Sequence, residues 1–402
     1  MRRQSLFYFI TWRHRLGYLA CLSVIFASVS QAAFASPETH RASRLSDRGR
    51  QAVGIYAPVP RVHKARGDSL AKWVQRIGAN AVVIDVKDDR GRVTFSRELP
   101  DAKGPQHGIS PHIADLVQSL KAHDIYVIAR VVCFKDHQLA RLRPDIAIID
   151  RRTNTPWRDR TELGWVDPHS QVARDHIVRV AVAAQEMGFD EIQLDYVRFP
   201  VERAAAHAAY PHRKERTPRH MVIAQLLAEV DSALTIPLSI DVFGLTAYNP
   251  GDADGLGQWL EYLAPYVDAI SPMVYLANWP AKYYEKPSHA ATYRLIEGAV
   301  RRTDERLDRQ VLVRPLLQGF QWRADQWGPR FIDNQIEAAL DGGAHGFLFW
   351  NQGGSYRLLS TVLQQRAKKA SPEASPEASP EASPEASPAA VPEASPGERT
   401  AP

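Results

Sequence analysis

The chain has 402 residues, 45% of them apolar and 24% charged. This is globular composition, and it excludes a largely disordered or collagen-like protein. Setting aside Arg2, Arg3, Arg13 and Arg15 of the N-terminal segment leaves 46 basic against 45 acidic residues, so the global charge gives no pull toward nucleic acid. The cysteines are Cys21 and Cys133; the cleavage expected below separates them, which excludes an intramolecular disulfide and a cysteine-built zinc site.

Residues 1 to 16 are basic without an acid, residues 17 to 35 carry no charge, and Ala33-Phe34-Ala35 is a small-residue cleavage motif. That order is the one an export signal needs. The expected organisation is a signal peptide over 1–35, a linker over 36–50, a folded domain over 51–368 and a tail from 369 to the C-terminus. The alternative for the first segment is an uncleaved anchor, since its apolar stretch approaches the roughly 20 residues that span a bilayer. The mature protein is expected in the periplasm or outside the cell, with no stable membrane insertion.

Eight β-rich runs follow, at 53–58, 81–87, 126–134, 191–197, 237–243, 269–275, 311–318 and 346–350, alternating with helical patterns at 68–77, 111–122, 169–187, 219–233, 256–263, 289–302 and 329–341. Eight such units in about 320 residues predict an α/β fold of the (β/α)8 TIM-barrel type. An open doubly wound sheet is the alternative, but no Gly-x-Gly-x-x-Gly turn follows the first strand. Near the C-terminus, residues 371 to 396 repeat Ser-Pro-Glu-Ala. Frequent proline and the lack of large apolar side chains predict a solvated, disordered spacer, or an arm that reaches the cell wall.

Helix-to-strand connections such as Gly78-Ala79-Asn80 are short and strand-to-helix connections are long, which places the working face at the C-terminal ends of the strands. Trp157, Trp165, Trp279, Trp322, Trp327 and Trp350 fall in or beside the long connections, where rings either stack on a sugar or anchor loops. Strand parity aims Gln193 and Asp195 one way and Ile192 and Leu194 the other; Ser239 and Asp241 separate from Ile240 and Val242 likewise. The same rule turns Asp85, Lys87, Arg130, Ser271, Tyr275, Arg314, Gln318 and Trp350 inward.

Two carboxylates from adjacent strands over one pocket are what glycosidic cleavage requires, one to protonate the leaving oxygen and one to attack or to activate water. Asp195 and Asp241 are therefore the candidate catalytic pair. Tyr56, Asp85, Lys87, Arg130, Asp167, Arg198, Tyr275, Arg314, Gln318 and Trp350 are the candidate substrate-binding set. Asp85 and Lys87 could equally neutralise one another, with Arg130 as their partner, and Asp167 could instead cap the following helix. No Gly-x-Ser-x-Gly elbow with a histidine base, His-Glu-x-x-His helix or Walker loop is present, and no cofactor or metal is expected. Asp136-His137 with His63 leaves a metal-dependent deacetylase as a weaker alternative.

Gly54-Ile55-Tyr56, Asp85-Val86-Lys87-Asp88, Phe134-Lys135-Asp136, Trp165-Val166-Asp167-Pro168, Leu194-Asp195-Tyr196-Val197-Arg198-Phe199-Pro200, Asp241-Val242-Phe243-Gly244, Ser271-Pro272-Met273-Val274-Tyr275 and Phe349-Trp350-Asn351 occur in that order. Together, from about Gly54 to Tyr356, they resemble a bacterial glycoside hydrolase family first catalogued as a domain of unknown function. The resemblance implies a TIM-barrel hydrolase distantly related to the alpha-amylase type, acting on a polysaccharide or oligosaccharide. It also implies a nucleophile ending strand four, Asp195, and an acid/base ending strand five, Asp241. The chain departs from the family at Leu276-Ala277-Asn278, where Pro-Ser-His is usual, and at Gly319, where an aspartate is usual. Those departures leave a non-catalytic carbohydrate-binding barrel as the principal alternative.

Overall fold

The structure is a computed structural model that describes residues 43–64, 67–95, 112–214, 216–279, 288–324 and 327–370. The expected signal peptide and Ser-Pro-Glu-Ala tail lie outside the described residues. The eight expected strands are β1 Val53–Ala57, β2 Ala81–Lys87, β3 Tyr126–Val132, β4 Glu191–Asp195, β5 Leu238–Phe243, β6 Ala269–Met273, β7 in two segments, Leu312–Val313 and Leu316–Gln318, and β8 Phe347–Trp350. Each pairs in parallel with its neighbours, and β8 returns to β1, so the sheet closes into a barrel.

β7 is split because Pro315 has no N–H to give the ladder. Its first segment pairs with β6 and its second with both β6 and β8. Besides the short helices Val59–Lys64 and His137–Leu142, the helices between and after the strands are α1 Gly67–Ile77, α2 Ile113–Ala122, α3 Gln171–Glu186, α4 Arg219–Ala233, α5 Leu260–Leu263, α6 His289–Arg306, α7 Pro329–Asp341 and α8 Arg357–Ala370. Ser170 and Ser288 cap α3 and α6, each side-chain oxygen accepting from the backbone N–H three residues on. α5 is much shorter than its pattern over 256–263 suggests. No helix of the described residues is long and apolar enough to cross a membrane.

Strand alternation sorts the buried side chains into two cores. Ile55, Val82, Ile84, Val127, Ala129, Ile192, Leu194, Ile240 and Val242 face the helices, whereas Tyr56, Val83, Ile128, Tyr275, Leu316 and Leu348 fill the barrel. Low in that interior, Glu191 meets the Arg314 guanidinium, accepts from Tyr126 Oη at 3.0 Å and takes the Ser239 hydroxyl. This buried ionic layer closes the N-terminal end of the barrel, so ligand access is from the opposite mouth.

Candidate active site

The register of β4 on β5 pairs Gln193 with Ser239 and Leu194 with Ile240, and one step further Asp195 stands level with Asp241. Neighbouring strands lie about 4.8 Å apart, and both residues fall on the inward parity, so the two carboxyl groups converge at the mouth. Both line one cleft of about 540 Å³, together with Arg130, Arg198, Tyr275 and Trp350.

The two acids sit in different surroundings. Asp195 Oδ2 accepts from Arg130 Nε at 3.0 Å and Nη2 at 2.5 Å, and Oδ1 accepts from the Tyr196 amide at 2.6 Å. Asp241 is 2% exposed, and its Oδ1 has no hydrogen-bond partner among the described residues. Burial first, and then the neighbouring charge of Asp195, push its pKa well above the ordinary carboxylate value, with Arg130 opposing. The result is one carboxylate held as an ion pair and one carboxyl group whose surroundings favour the protonated form. The same burial and the charges of Asp241 and Asp195 keep the Tyr275 phenol protonated.

A buried chain holds the pair in place. Tyr56 Oη donates to Asp85 Oδ2 at 2.6 Å, Asp85 Oδ1 accepts from Arg130 Nη1 at 2.6 Å, and Arg130 continues to Asp195. Trp350 lies 4.0 Å from the Tyr56 ring and 4.7 Å beneath the Arg130 guanidinium, which fixes its plane. Tyr56 and Asp85 thus support Arg130 from behind the cleft wall. Immediately after Asp195, Tyr196 adopts φ +49°, a left-handed conformation unusual for a bulky residue and one that concentrates at functional sites.

Four residues of the expected binding set are held elsewhere. Lys87 is fully buried; the β2–β3 register shifts between Asp85 and Lys87, and its ammonium bonds the Val132 carbonyl at 2.6 Å and Asp136 at 2.8 Å. Asp167 accepts from the amides of His169 at 2.9 Å and His212 at 2.8 Å, pinning the loops after β3 and β4; Ser170 caps α3 in its stead. Arg314 belongs to the closed end with Glu191 and Gly49. Gln318 accepts from the Ala277 amide at 3.1 Å and donates to the carbonyls of Phe320 and Trp322, both at 3.0 Å, so it braces the rim loops.

Of the loop tryptophans, Trp279 and Trp350 line the cleft. Trp157 and Trp165, at 1% and 0% exposure, belong to the main core, Trp327 packs against it, and Trp322 stands exposed. In the metal alternative, Asp136 Oδ1 accepts from the Leu139 amide at 2.8 Å and His137 Nδ1 takes the Gly164 amide at 3.1 Å; the side chain of His63 lies outside those described. No cluster of three His, Cys, Asp or Glu suited to a metal occurs among the described residues.

The cleft also draws on residues that strand parity does not single out. Lys135 bonds Asp159 at 3.0 Å and lies 5.2 Å over the Tyr196 ring. Gln258, 2% exposed, accepts from the Phe243 amide at 3.0 Å and donates to the Asp241 carbonyl at 3.2 Å, which anchors the end of β5. These residues lie in loops, where the chain carries no periodic signal. Only the strand-end position of Lys135, directly after Phe134, hinted at a place on the rim.

A parallel barrel opening at its C-terminal mouth on a carboxylate pair is an architecture suited to glycosidic-bond hydrolysis. Residues 54–356, about three quarters of the chain, match the family described as "Putative glycosyl hydrolase domain", and the chain belongs to that family, a glycosidase-type hydrolase on a TIM barrel. No curated protein matches it. Among solved structures it is similar to the glycoside hydrolase domain of PgaB (BpsB) from Bordetella bronchiseptica, at 12% identity and TM-score 0.55 over 78% of this chain and 98% of that one. It is also similar to alpha-L-fucosidase isoenzyme 2 from Paenibacillus thiaminolyticus, at 13% identity and TM-score 0.52 over 80% of this chain and 50% of that one. A hypothetical protein from Ruminiclostridium thermocellum is 30% identical over 47% of this chain and 97% of its own, at TM-score 0.40. The first two similarities are similarities of fold.

Proposed function

We propose that the chain is an exported glycoside hydrolase that cleaves glycosidic bonds of a polysaccharide or oligosaccharide, with Asp195 as nucleophile and Asp241 as acid/base. Asp241, protonated by burial and by the charge of Asp195, would give its proton to the leaving glycosidic oxygen as that bond breaks. Asp195 would attack the anomeric carbon, its approach fixed by the Tyr56–Asp85–Arg130 chain. Water would then release the sugar, returning its proton to Asp241. The observation that carries this reading is the pairing of an ion-paired Asp195 with a buried Asp241 of raised pKa on one cleft. The basic start, the uncharged stretch and Ala33-Phe34-Ala35 support export; an intact Met1 on secreted protein would remove that part.

The test is a polysaccharide panel scored for new reducing ends. Asp195→Asn and Asp241→Asn should each lower turnover by about 10²-fold or more while circular dichroism stays unchanged. Full turnover by Asp195→Asn overturns the assignment. Asn278, on the cleft wall where the family usually continues Pro-Ser-His, favours the carbohydrate-binding barrel as second reading; affinity without new reducing ends would support it.

A further inference from the structure

Most charges on the cleft wall are committed to one another. Arg130 serves Asp85 and Asp195, and Lys135 serves Asp159. Arg198 differs. It lines the cleft at 6% exposure, Nη1 donates to the Phe199 carbonyl at 3.0 Å, and among the described residues no carboxylate comes within ion-pair distance of it. Its guanidinium lies instead over three rings, 5.0 Å from Trp165, 5.2 Å from Tyr196 and 4.8 Å from Phe243.

A guanidinium taken out of water without a counter-ion is destabilising, and the aromatic faces offset only part of that. Burial pulls its pKa down, and the more distant charges of Glu202, Asp195 and Asp159 oppose that only in part. The rings also hold the planar fork in one orientation, with four of its five N–H donors without a partner among the described residues. Such a fork matches a carboxylate in bidentate fashion far better than it matches scattered hydroxyls. Exposed Arg160 adds positive charge on the same cleft. Glu202 also lines it, with Oε2 buried and without a hydrogen-bond partner among the described residues; its charge partly offsets that of Arg198 from beyond ion-pair distance and also opposes an incoming anion.

We propose that Arg198 is the docking point for a carboxylate carried on a sugar ring, so that the substrate is an acidic polysaccharide of the uronic-acid class. The statement about substrate rests on the hydrolase reading, whereas recognition can be measured without turnover. The probes are short oligouronates and their carboxyl-reduced, neutral counterparts, titrated calorimetrically into the full chain carrying Asp195→Asn. The acidic form should bind about tenfold or more tightly, the worth of a charge-assisted pair. Arg198→Gln should abolish that preference, Arg198→Lys should recover little of it, and Glu202→Gln should increase it.

Equal affinity for the two forms, no affinity for any oligouronate, or a preference that survives Arg198→Gln in a folded variant each overturns the proposal. The two failures separate cleanly. Neutral oligosaccharides cleaved as fast as acidic ones remove the acidic assignment and keep the hydrolase, whereas Arg198-dependent binding of oligouronate that the unmodified chain never cleaves supports the docking point and removes the hydrolase.

Discussion

At the scale of single residues, the proposed acid role of Asp241 rests on its burial beside Asp195, which raises its pKa. A group whose folded pKa lies above its unfolded value contributes stability below the unfolded pKa of 3.8 and loses it as pH rises through the folded value. Each unit of that rise corresponds to about 1.4 kcal/mol. Asp241→Asn should therefore gain stability over the unmodified chain at neutral and alkaline pH, by about 1 kcal/mol or more, and the advantage should vanish near pH 3. Denaturant melts across that range check it; a constant difference at every pH would contradict the assignment. If Asp241 is the acid, as proposed, kcat/KM should show an alkaline limb reporting its titration in the free enzyme. Gly319 shows how geometry reinterprets a departure that sequence alone left ambiguous. A Cβ there would lie 2.9 Å from the Trp350 carbonyl and 3.4 Å from Asn351, and the residue is not among those lining the cleft, so a side chain at this position would crowd the end of β8.

At the scale of elements, alternation along a strand was legible and height along the barrel axis was not. Parity correctly turned Asp195, Asp241, Arg130, Arg314 and Gln318 away from the helices, but the interior of a (β/α)8 barrel is a packed column and only its top layer meets a ligand. Arg314 lies in the bottom layer and Gln318 is turned to the rim backbone, distinctions that no two-residue period carries. Lys87 was misplaced for a different reason: the irregularity after Asp85 breaks the period locally and redirects the ammonium toward the end of β3 and the helix that starts at His137. There it joins β2, β3 and the Asp136 cap into one unit. Removing one member, as in Asp136→Ala, leaves a fully buried ammonium and should destabilise by about 3–5 kcal/mol. The double replacement Lys87→Met with Asp136→Leu should be several-fold milder, because no charge is stranded. Urea unfolding of the three proteins decides this; equal losses in single and double variants would show that the pair acts through packing alone.

At the scale of the whole molecule, the strand count was legible because each barrel strand is a short apolar run set off by helical periodicity. The last helix was not singled out, since a domain boundary drawn at Lys368 from composition says nothing of what α8 packs on. That helix follows β8 and lies against the first, α1: Ser360 Oγ and Gln364 Nε2 donate to the Arg76 carbonyl at 3.0 and 3.2 Å, satisfying the C-terminal end of α1. Leu359 and Val362 are both 2% exposed. A ring of helices around a closed sheet has a seam where the chain's two ends meet, and α8 is the element that covers it. Burying those two side chains is worth roughly 1.5–3 kcal/mol each, against a total of about 5–15 kcal/mol for a domain. Ending the chain after Ala370 should leave the melting temperature of the folded domain within about 2 °C of the longer protein. Ending it after Tyr356 should lower stability by at least about 3 kcal/mol, seen as a fall in urea midpoint, and should expose the apolar surface that Leu359 and Val362 cover to a hydrophobic dye. A truncation at Tyr356 that melts with the intact domain would mean that the seam is closed by α1 and α7 without α8.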